Sequence, residues 1–314
     1  MTDEIRILIT GIGGYLGSAL ARRLAPHYFV MGIDIRRNAE LDCQQQIMDI
    51  RDPDLLALLA SQRISHVVHL AAVLEDSGDR ERDYDIDVNG TRNVLDACLG
   101  AGIKHLTVTS SGAAYGYHAD NPAWLKETDP LRGNVAFGYA DHKRQVEALL
   151  AQYRRDYAHL QQLILRPGTV LGADTRNLIT NLFSGKRLLA IRGSDSPFVF
   201  IWDEDVIDII RLGVSANRTG IFNLAGDGAL GIHDIAAMLG KPVVALPAGL
   251  VKAALWLGKR LGIGRYGPEQ IDFLRYRPVL DNQQLKQVFG YTPAKSSAET
   301  LAFYIAHARA RGDL

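Results

Sequence analysis

Two cysteines, three tryptophans and no excess of either charge mark what this chain of 314 residues lacks. Cys43 and Cys98 have neither metal-ligand nor redox spacing, which excludes a disulfide scaffold and a cysteine-based metal centre. Both read as small apolar residues in a reducing compartment. Basic and acidic residues number 35 each, so no net field draws nucleic acid or an acidic membrane. The short clusters Arg36-Arg37 and Lys259-Arg260 read as solvated faces. No apolar run is long enough to span a bilayer: the most apolar later stretch, 243–261, is broken by Pro247 and Lys252. Met1-Thr2-Asp3-Glu4 leads directly into a strand and resembles no secretory signal. There is no internal repeat and no low-complexity segment. A soluble, cytoplasmic protein with no membrane span and no nucleic-acid partner is expected.

What the chain does have is Thr10-Gly11-Ile12-Gly13-Gly14-Tyr15-Leu16-Gly17, set between a short apolar strand (Ile5 to Ile9) and a helical pattern (Leu20, Ala21, Leu24, Ala25). Unpaired N–H groups and the helix dipole at such a junction favour a pyrophosphate. Gly11 permits the tight turn, Gly14 lets a diphosphate approach the backbone, and Gly17 lets helix lie close on strand. Tyr15 and Leu16 complete the predicted cofactor-binding turn. The next strand, Phe29 to Ile33, ends at Asp34, an acceptor for both adenosine ribose hydroxyls. That acid favours NAD over NADP. Arg36 or Arg37 would be the residues to accommodate the extra phosphate of NADP.

Strand-like and helix-like segments alternate through the first half, which predicts a doubly wound parallel sheet covered on both faces. Asp49 and Ile50 precede Pro53, which opens a helix; Asp49 either caps that region or meets the adenine edge. The strand from His66 to Leu70 ends in Ala71 and Ala72, small enough for a cofactor to lie against the backbone. His66 and His69 have no partners at metal-ligand spacing and read as satisfied buried histidines, so no metal site is predicted. One helix is expected over 84–102, with Val88, Thr91, Val94, Leu95 and Cys98 on its inner face. A strand from Leu106 to Thr109 ends in Ser110-Ser111, whose hydroxyls face the crevice where ligands bind in such sheets.

The helix opening at Gly138 carries Tyr139 and Lys143 four positions apart, on one face. A tyrosine pKa lies near ~10, and moving it to about 7 takes ~4 kcal/mol of preference for the phenolate. A neighbouring ammonium and a positively charged nicotinamide in a half-dry crevice suit that task.

Together these motifs resemble the extended short-chain dehydrogenase/reductase family, the NAD-dependent epimerase/dehydratase group. The pieces are Thr10-Gly-x-x-Gly-x-x-Gly17, Asp34, Asp49-Ile50, His69-Leu-Ala-Ala72, Asn89-Gly-Thr91, Ser110-Ser-Gly-Ala-Ala-Tyr-Gly116 and Tyr139-x-x-x-Lys143. Arg166 to Gly172, Phe200-Ile-x-Asp-x-Asp-Val206 and Leu285 to Pro293 extend the likeness over essentially the full chain. The resemblance implies a Rossmann domain over 1–168, with 204–225 returning to it, and a smaller substrate-binding part over 169–314, the active site lying in the cleft between them. It implies Tyr139 as the general acid/base, Lys143 as the group that holds the nicotinamide ribose and tunes Tyr139, and Ser111, rather than Ser110, on the reacting oxygen. Asn89 would fix helix geometry. A homodimer through the helices 89–102 and 139–153 is also implied.

Two departures bear on the substrate. Sugar-nucleotide members usually carry an asparagine in the stretch matched by 166–172, where Thr169 stands nearest, and an arginine before the Phe-Ile-x-x-x-Asp stretch, where this chain has Pro197-Phe198-Val199. Phenylalanine cannot clamp a diphosphate as arginine does. Arg192, Arg275 and Arg277 are candidates to compensate, each otherwise a surface arginine. These departures count against a diphosphate sugar, while the full-length resemblance points to hydride transfer at a secondary alcohol or ketone on a nucleotide sugar, in an epimerase or dehydratase. The alternatives are a dehydrogenase of hydrophobic alcohols or ketones, resembling hydroxysteroid dehydrogenases, and a non-catalytic NAD(P)-sensing module. In the second half, helices are expected over 177–183, 203–214, 232–239 and 281–289, and strands over 188–191 and 221–224. The apolar stretch 250–261, with Lys252 and Lys259 seven apart, reads as a core-facing helix, or else as a lid over a lipophilic substrate or a membrane-surface contact. Trp202 and Trp256 are candidates to line one pocket.

Overall fold

The computed structural model describes residues 4–74, 77–262, 267–268 and 271–314, apart from the side chain of Lys259. The opening Met1-Thr2-Asp3 lies outside the described residues. The first half runs β1 (Arg6–Thr10), α1 (Tyr15–Leu24), β2 (Phe29–Asp34), β3 (Gln44–Ile47), α2 (Leu55–Ser61), β4 (His66–His69), α3 (Arg80–Tyr84), α4 (Gly90–Gly100) and β5 (His105–Thr109). Then come α5 (Gly138–Asp156), β6 (Gln161–Pro167), β7 (Thr169–Leu171), α6 (Leu178–Ser184), β8 (Leu188–Ile191), β9 (Phe200–Trp202), α7 (Asp203–Ser215) and β10 (Gly220–Leu224). The chain finishes with α8 (Ile232–Leu239), β11 (Val243–Leu246), α9 (Ala248–Arg260), α10 (Ile271–Arg275) and α11 (Ser297–Ala310).

The chain divides into two compact units: one of Met1–Ser111, His142–Arg166 and Glu204–Phe222, the other of Gly112–Asp141, Pro167–Asp203 and Asn223–Leu314. The segment 112–141 thus groups with the C-terminal residues.

The first unit is built on a seven-stranded sheet in the order β10-β6-β5-β4-β1-β2-β3. Its pairs are parallel in register, as in Ile7↔Val30, Leu8↔Val67, Val67↔Leu106 and Leu106↔Gln162. The central strands are buried because helices cover both faces; Ile7, Leu8, Ile9, Val67 and Val68 form their apolar centre. Strand order reverses between β1 and β4, so a crevice opens beyond their carboxyl ends. The fold is the doubly wound α/β sheet that the alternation predicts. β3 is an edge strand of three glutamines and an exposed Ile47, so it lacks the apolar signal of a strand.

The helix expected over 84–102 is interrupted. α3 ends at Tyr84, a π-helical turn occupies Asp85–Asn89, and α4 follows. Within that turn the Asn89 amide donates to Asp85 Oδ1 at 2.8 Å, the geometric role expected of Asn89. The inner face remains as predicted: Val88, Thr91, Val94, Leu95 and Cys98 are buried.

The second unit pairs β8 with β11 and β7 with β9, both parallel. Its main core gathers Phe183, Phe198, Phe200, Leu301 and Tyr304. Phe198 and Phe200 stack at 5.8 Å between centroids. Asn177 caps α6 through a reciprocal capping box with Thr180, and Ser296 caps α11 likewise with Glu299. α9 is apolar on two sides rather than only toward the core. Val251 and Leu255 face Ile191, Ile271 and Leu274, while Leu250, Trp256 and Leu257 are exposed. Trp202 packs on Phe303 and under Lys295, so the two tryptophans line no common pocket.

Candidate active site

Beyond β1, Gly11 takes φ +72°, in the left-handed region where a side chain is strained. A Cβ there would also stand 2.9 Å from the Ala71 nitrogen. At Gly17 a Cβ would reach 2.2 Å from the Gly11 carbonyl oxygen, so α1 can approach the strand only without one. Gly13 and Gly14 are exposed, as is Tyr15, with Leu16 half-buried. The N-cap of α1, Gly14, offers no side chain to cap the first turn. Asp34 Oδ2 accepts from the Gly13 N–H at 3.0 Å and Oδ1 from the Arg36 N–H at 3.3 Å. A carboxylate has about four acceptor sites, so bracing the turn leaves room for ribose hydroxyls. Arg36 and Arg37 are exposed.

Asp49 caps no helix. Its carboxylate accepts from the Arg51 N–H and guanidinium, with Arg51 bridging on to Asp85 at 2.7 Å. The Arg51 hydrogen bonds hold the Asp49 carboxyl below the usual carboxylate range. Ile50 is buried against Gly90, and its carbonyl accepts from the Asn93 amide.

A buried polar relay underlies Ala71 and Ala72, both half-buried. The Thr10 hydroxyl meets His69 Nδ1 at 2.7 Å and accepts from the Leu70 and Ala71 N–H groups. His69 Nε2 lies 3.1 Å from the Thr91 hydroxyl, which itself donates to the Asp87 carbonyl. These partners assign the proton to Nε2, with Nδ1 as acceptor. Burial pushes the His69 pKa down to about 3, and the charge of Lys143 pushes in the same direction. The imidazole is neutral, as expected of a satisfied core histidine. Among the described residues no group of three His, Cys, Asp or Glu is arranged to hold a metal ion.

Tyr139 and Lys143 stand one turn apart on α5. Lys143 is 5% exposed, and its Nζ lies 3.4 Å from the Thr109 carbonyl at the end of β5. Two buried pairs fix α5 in the first unit. Arg166 of β6 forms two hydrogen bonds of 2.7 Å to the Glu147 carboxylate, and His142 Nδ1 lies 3.4 Å from Asp87 Oδ2. Asp87 Oδ1 also accepts from the Val73 N–H, tying the strand end that carries Ala71 to this helix. Neither pair follows from motif reading. Ser110 Oγ is sealed from solvent with no hydrogen-bond partner among the described residues, whereas Ser111 is half-buried.

In the second unit Tyr139 packs with Phe137, Tyr117 and Phe273. Burial, and then Tyr139, raise the Tyr117 pKa. Tyr115 is fully buried and donates to Asn223 Oδ1 at 2.8 Å, holding the turn that follows the serines. Of the three candidate arginines, Arg192 donates to the Ala245 carbonyl and Arg275 lies over Tyr276. Arg275 shares with Arg277 a buried Nε with no partner among the described residues, but Arg277 alone of the three sits between two rings. Its guanidinium lies over the rings of Phe198 (3.7 Å) and Phe273 (4.7 Å), and Nε is buried with no partner among the described residues. Burial pushes its pKa down to about 9, on the charged side of neutrality.

The switch-point glycine turn, the acid closing β2 and the tyrosine–lysine turn define an α/β protein of the dinucleotide-binding class. Residues 7–225 match the NAD dependent epimerase/dehydratase family, and the chain belongs to it. It is 30% identical to a UDP-glucose 4-epimerase of Mycolicibacterium smegmatis, covering 95% of this chain and 96% of the relative. It is 28% identical to the N-acetyl-alpha-D-glucosaminyl-diphospho-ditrans,octacis-undecaprenol 4-epimerase of Escherichia coli O157:H7, over 62% of this chain and 58% of that protein. The crystal structure of the UDP-glucose 4-epimerase of Thermotoga maritima with UDP-glucose superposes with a TM-score of 0.77 at 20% identity, covering 98% and 99% of the two chains. This likeness bears on the fold.

Proposed function

We propose that the protein is an NAD-dependent epimerase or dehydratase acting at a secondary alcohol of a sugar carried on a diphosphate. Backbone N–H groups around Gly11, Gly14 and Gly17 would hold the cofactor pyrophosphate, Asp34 the adenosine ribose, and Ala71 and Ala72 would lie along it. The Cβ-free surface of this turn and the second acceptor capacity of Asp34 fit that group. Bound NAD supplies a hydride acceptor and donor.

The chain's own part is proton handling. Tyr139 Oη would take the hydroxyl proton as the substrate carbon is oxidised and return it when the carbon is reduced. The Lys143 ammonium would favour the phenolate and hold the nicotinamide ribose. Ser111 Oγ would orient the reacting oxygen.

The observation that carries the substrate class is Arg277. A guanidinium in an aromatic slot, with a buried N–H lacking a partner, offers charge-assisted hydrogen bonds to an incoming anion. Phe198, which lies in the stretch where the family's clamp arginine would stand, is 3% exposed and serves as one wall of that slot. This weakens the reading as a dehydrogenase of lipophilic alcohols, which rested on the missing diphosphate clamp. The relatives named above act on sugars joined to either a nucleotide or a polyprenol, and a diphosphate is common to both. The homodimer through α4 and α5 belongs to the same reading.

Tyr139→Phe tests it. NAD affinity should survive within about twofold while turnover of a UDP- or polyprenyl-diphospho-sugar falls by roughly a hundredfold or more. Unchanged turnover would remove Tyr139 from the chemistry.

A further inference from the structure

From Ile235 to Pro268 the sequence contains no Asp or Glu but five cations, Lys241, Lys252, Lys259, Arg260 and Arg265, in a chain otherwise balanced in charge. α9 lies inside this stretch, and its apolar residues do not all face inward. Val251 and Leu255 enter a small core. The opposite side carries Leu250, Ala253, Ala254 and Leu257, at helical spacing of three and four, all exposed. Leu250, Leu257 and Leu261 are 57%, 50% and 60% exposed. Such a stripe is costly to leave in water. Trp256 and Arg260 flank it, the guanidinium 5.3 Å from the indole centroid, and Lys252 stands on the far side of the helix from the leucines. No described acidic residue pairs with Lys252 or Arg260.

We infer that α9 is a docking surface for an anionic lipid bilayer, lying in the plane of the interface with Leu250, Leu257 and Leu261 in the acyl boundary and Lys252 and Arg260 at the headgroups. An apolar stripe with a cationic border and an interfacial tryptophan is the composition that binds there. No described helix is long and apolar enough to cross a membrane, so the contact is peripheral. A second copy of the chain fits less well. A self-complementary contact on this helix would bring two acid-free cationic borders together. The inference is independent of the catalytic reading.

The test is flotation of the full-length protein with vesicles of phosphatidylcholine alone and with phosphatidylglycerol in roughly a 2:1 ratio. Partition onto the anionic vesicles should exceed that onto neutral ones by about tenfold and weaken with added salt. Leu250→Gln with Leu257→Gln, and separately Lys252→Glu with Arg260→Glu, should each reduce it by about tenfold or more while leaving the melting temperature unchanged. Equal partition onto both vesicles, or binding indifferent to both pairs of substitutions, overturns the proposal. So does a concentration-dependent dimer that the leucine substitutions abolish in protein that ignores vesicles.

Discussion

Arg277 holds a charge that its surroundings strip of water without offering a carboxylate among the described residues. Replacing it by Met keeps the length and apolar contact with Phe198 and Phe273 but removes the donors. A hydrogen bond to a charged group contributes about 1.5–3 kcal/mol, so Arg277→Met should weaken UDP-glucose or UDP binding by about ten- to a hundredfold. NAD affinity should not change. Calorimetric titration checks this, and undiminished UDP binding would mean the aromatic slot is purely structural. Nothing in the sequence separates Arg277 from Arg192 or Arg275, because its slot is made by rings far apart along the chain. Tyr139, Lys143 and the glycines stand out in the sequence for the opposite reason: their spacing is local, and the chemistry proposed for them needs that spacing. The Asp87–His142 and Arg166–Glu147 pairs form only when elements pack.

At the scale of elements, the junction of β1 and α1 depends on a missing atom. Gly17→Ala places a Cβ 2.2 Å from the Gly11 carbonyl oxygen, which α1 can relieve only by moving off the strand. Overpacking of this kind costs roughly 1–3 kcal/mol. The variant should melt several degrees lower and lose NAD affinity by at least about tenfold, because the helix N-terminus that would face the pyrophosphate moves with α1. Wild-type melting and NAD titration curves would show that the junction yields freely. Apolar runs and glycine punctuation make β1, β2, β4 and β5 readable. β3 escapes because an exposed edge selects no apolar residues, and the π-helical turn escapes because it preserves the buried face of an ordinary helix. α11 carries a readable signal, the Ser296-to-Glu299 box, which motif reading passes over.

For the molecule as a whole, three buried histidines set the response to acid. Burial lowers the pKa of His66, His69 and His105, the second to about 3. Unfolded, each would titrate near ~6.5. Between those values the unfolded chain binds protons that the folded chain refuses, so stability is fully present above about pH 6.5 and falls as pH drops toward the folded values. Each histidine contributes a slope of ~1.4 kcal/mol per pH unit inside its window. Melting temperatures should be level from about pH 7 to 8 and decline steeply by about pH 5, above the range where carboxylates contribute. A flat profile down to about pH 5 would mean that these imidazoles accept protons in place.

The chain passes between its two compact units after Ser111, Asp141, Arg166, Asp203 and Phe222, and the second of these passages falls inside α5, between Tyr139 and Lys143. A continuous helix is a stiff rod at this length, so the phenol and the ammonium are coupled mechanically. The two groups therefore keep the spacing of one helical turn although each is grouped with a different unit.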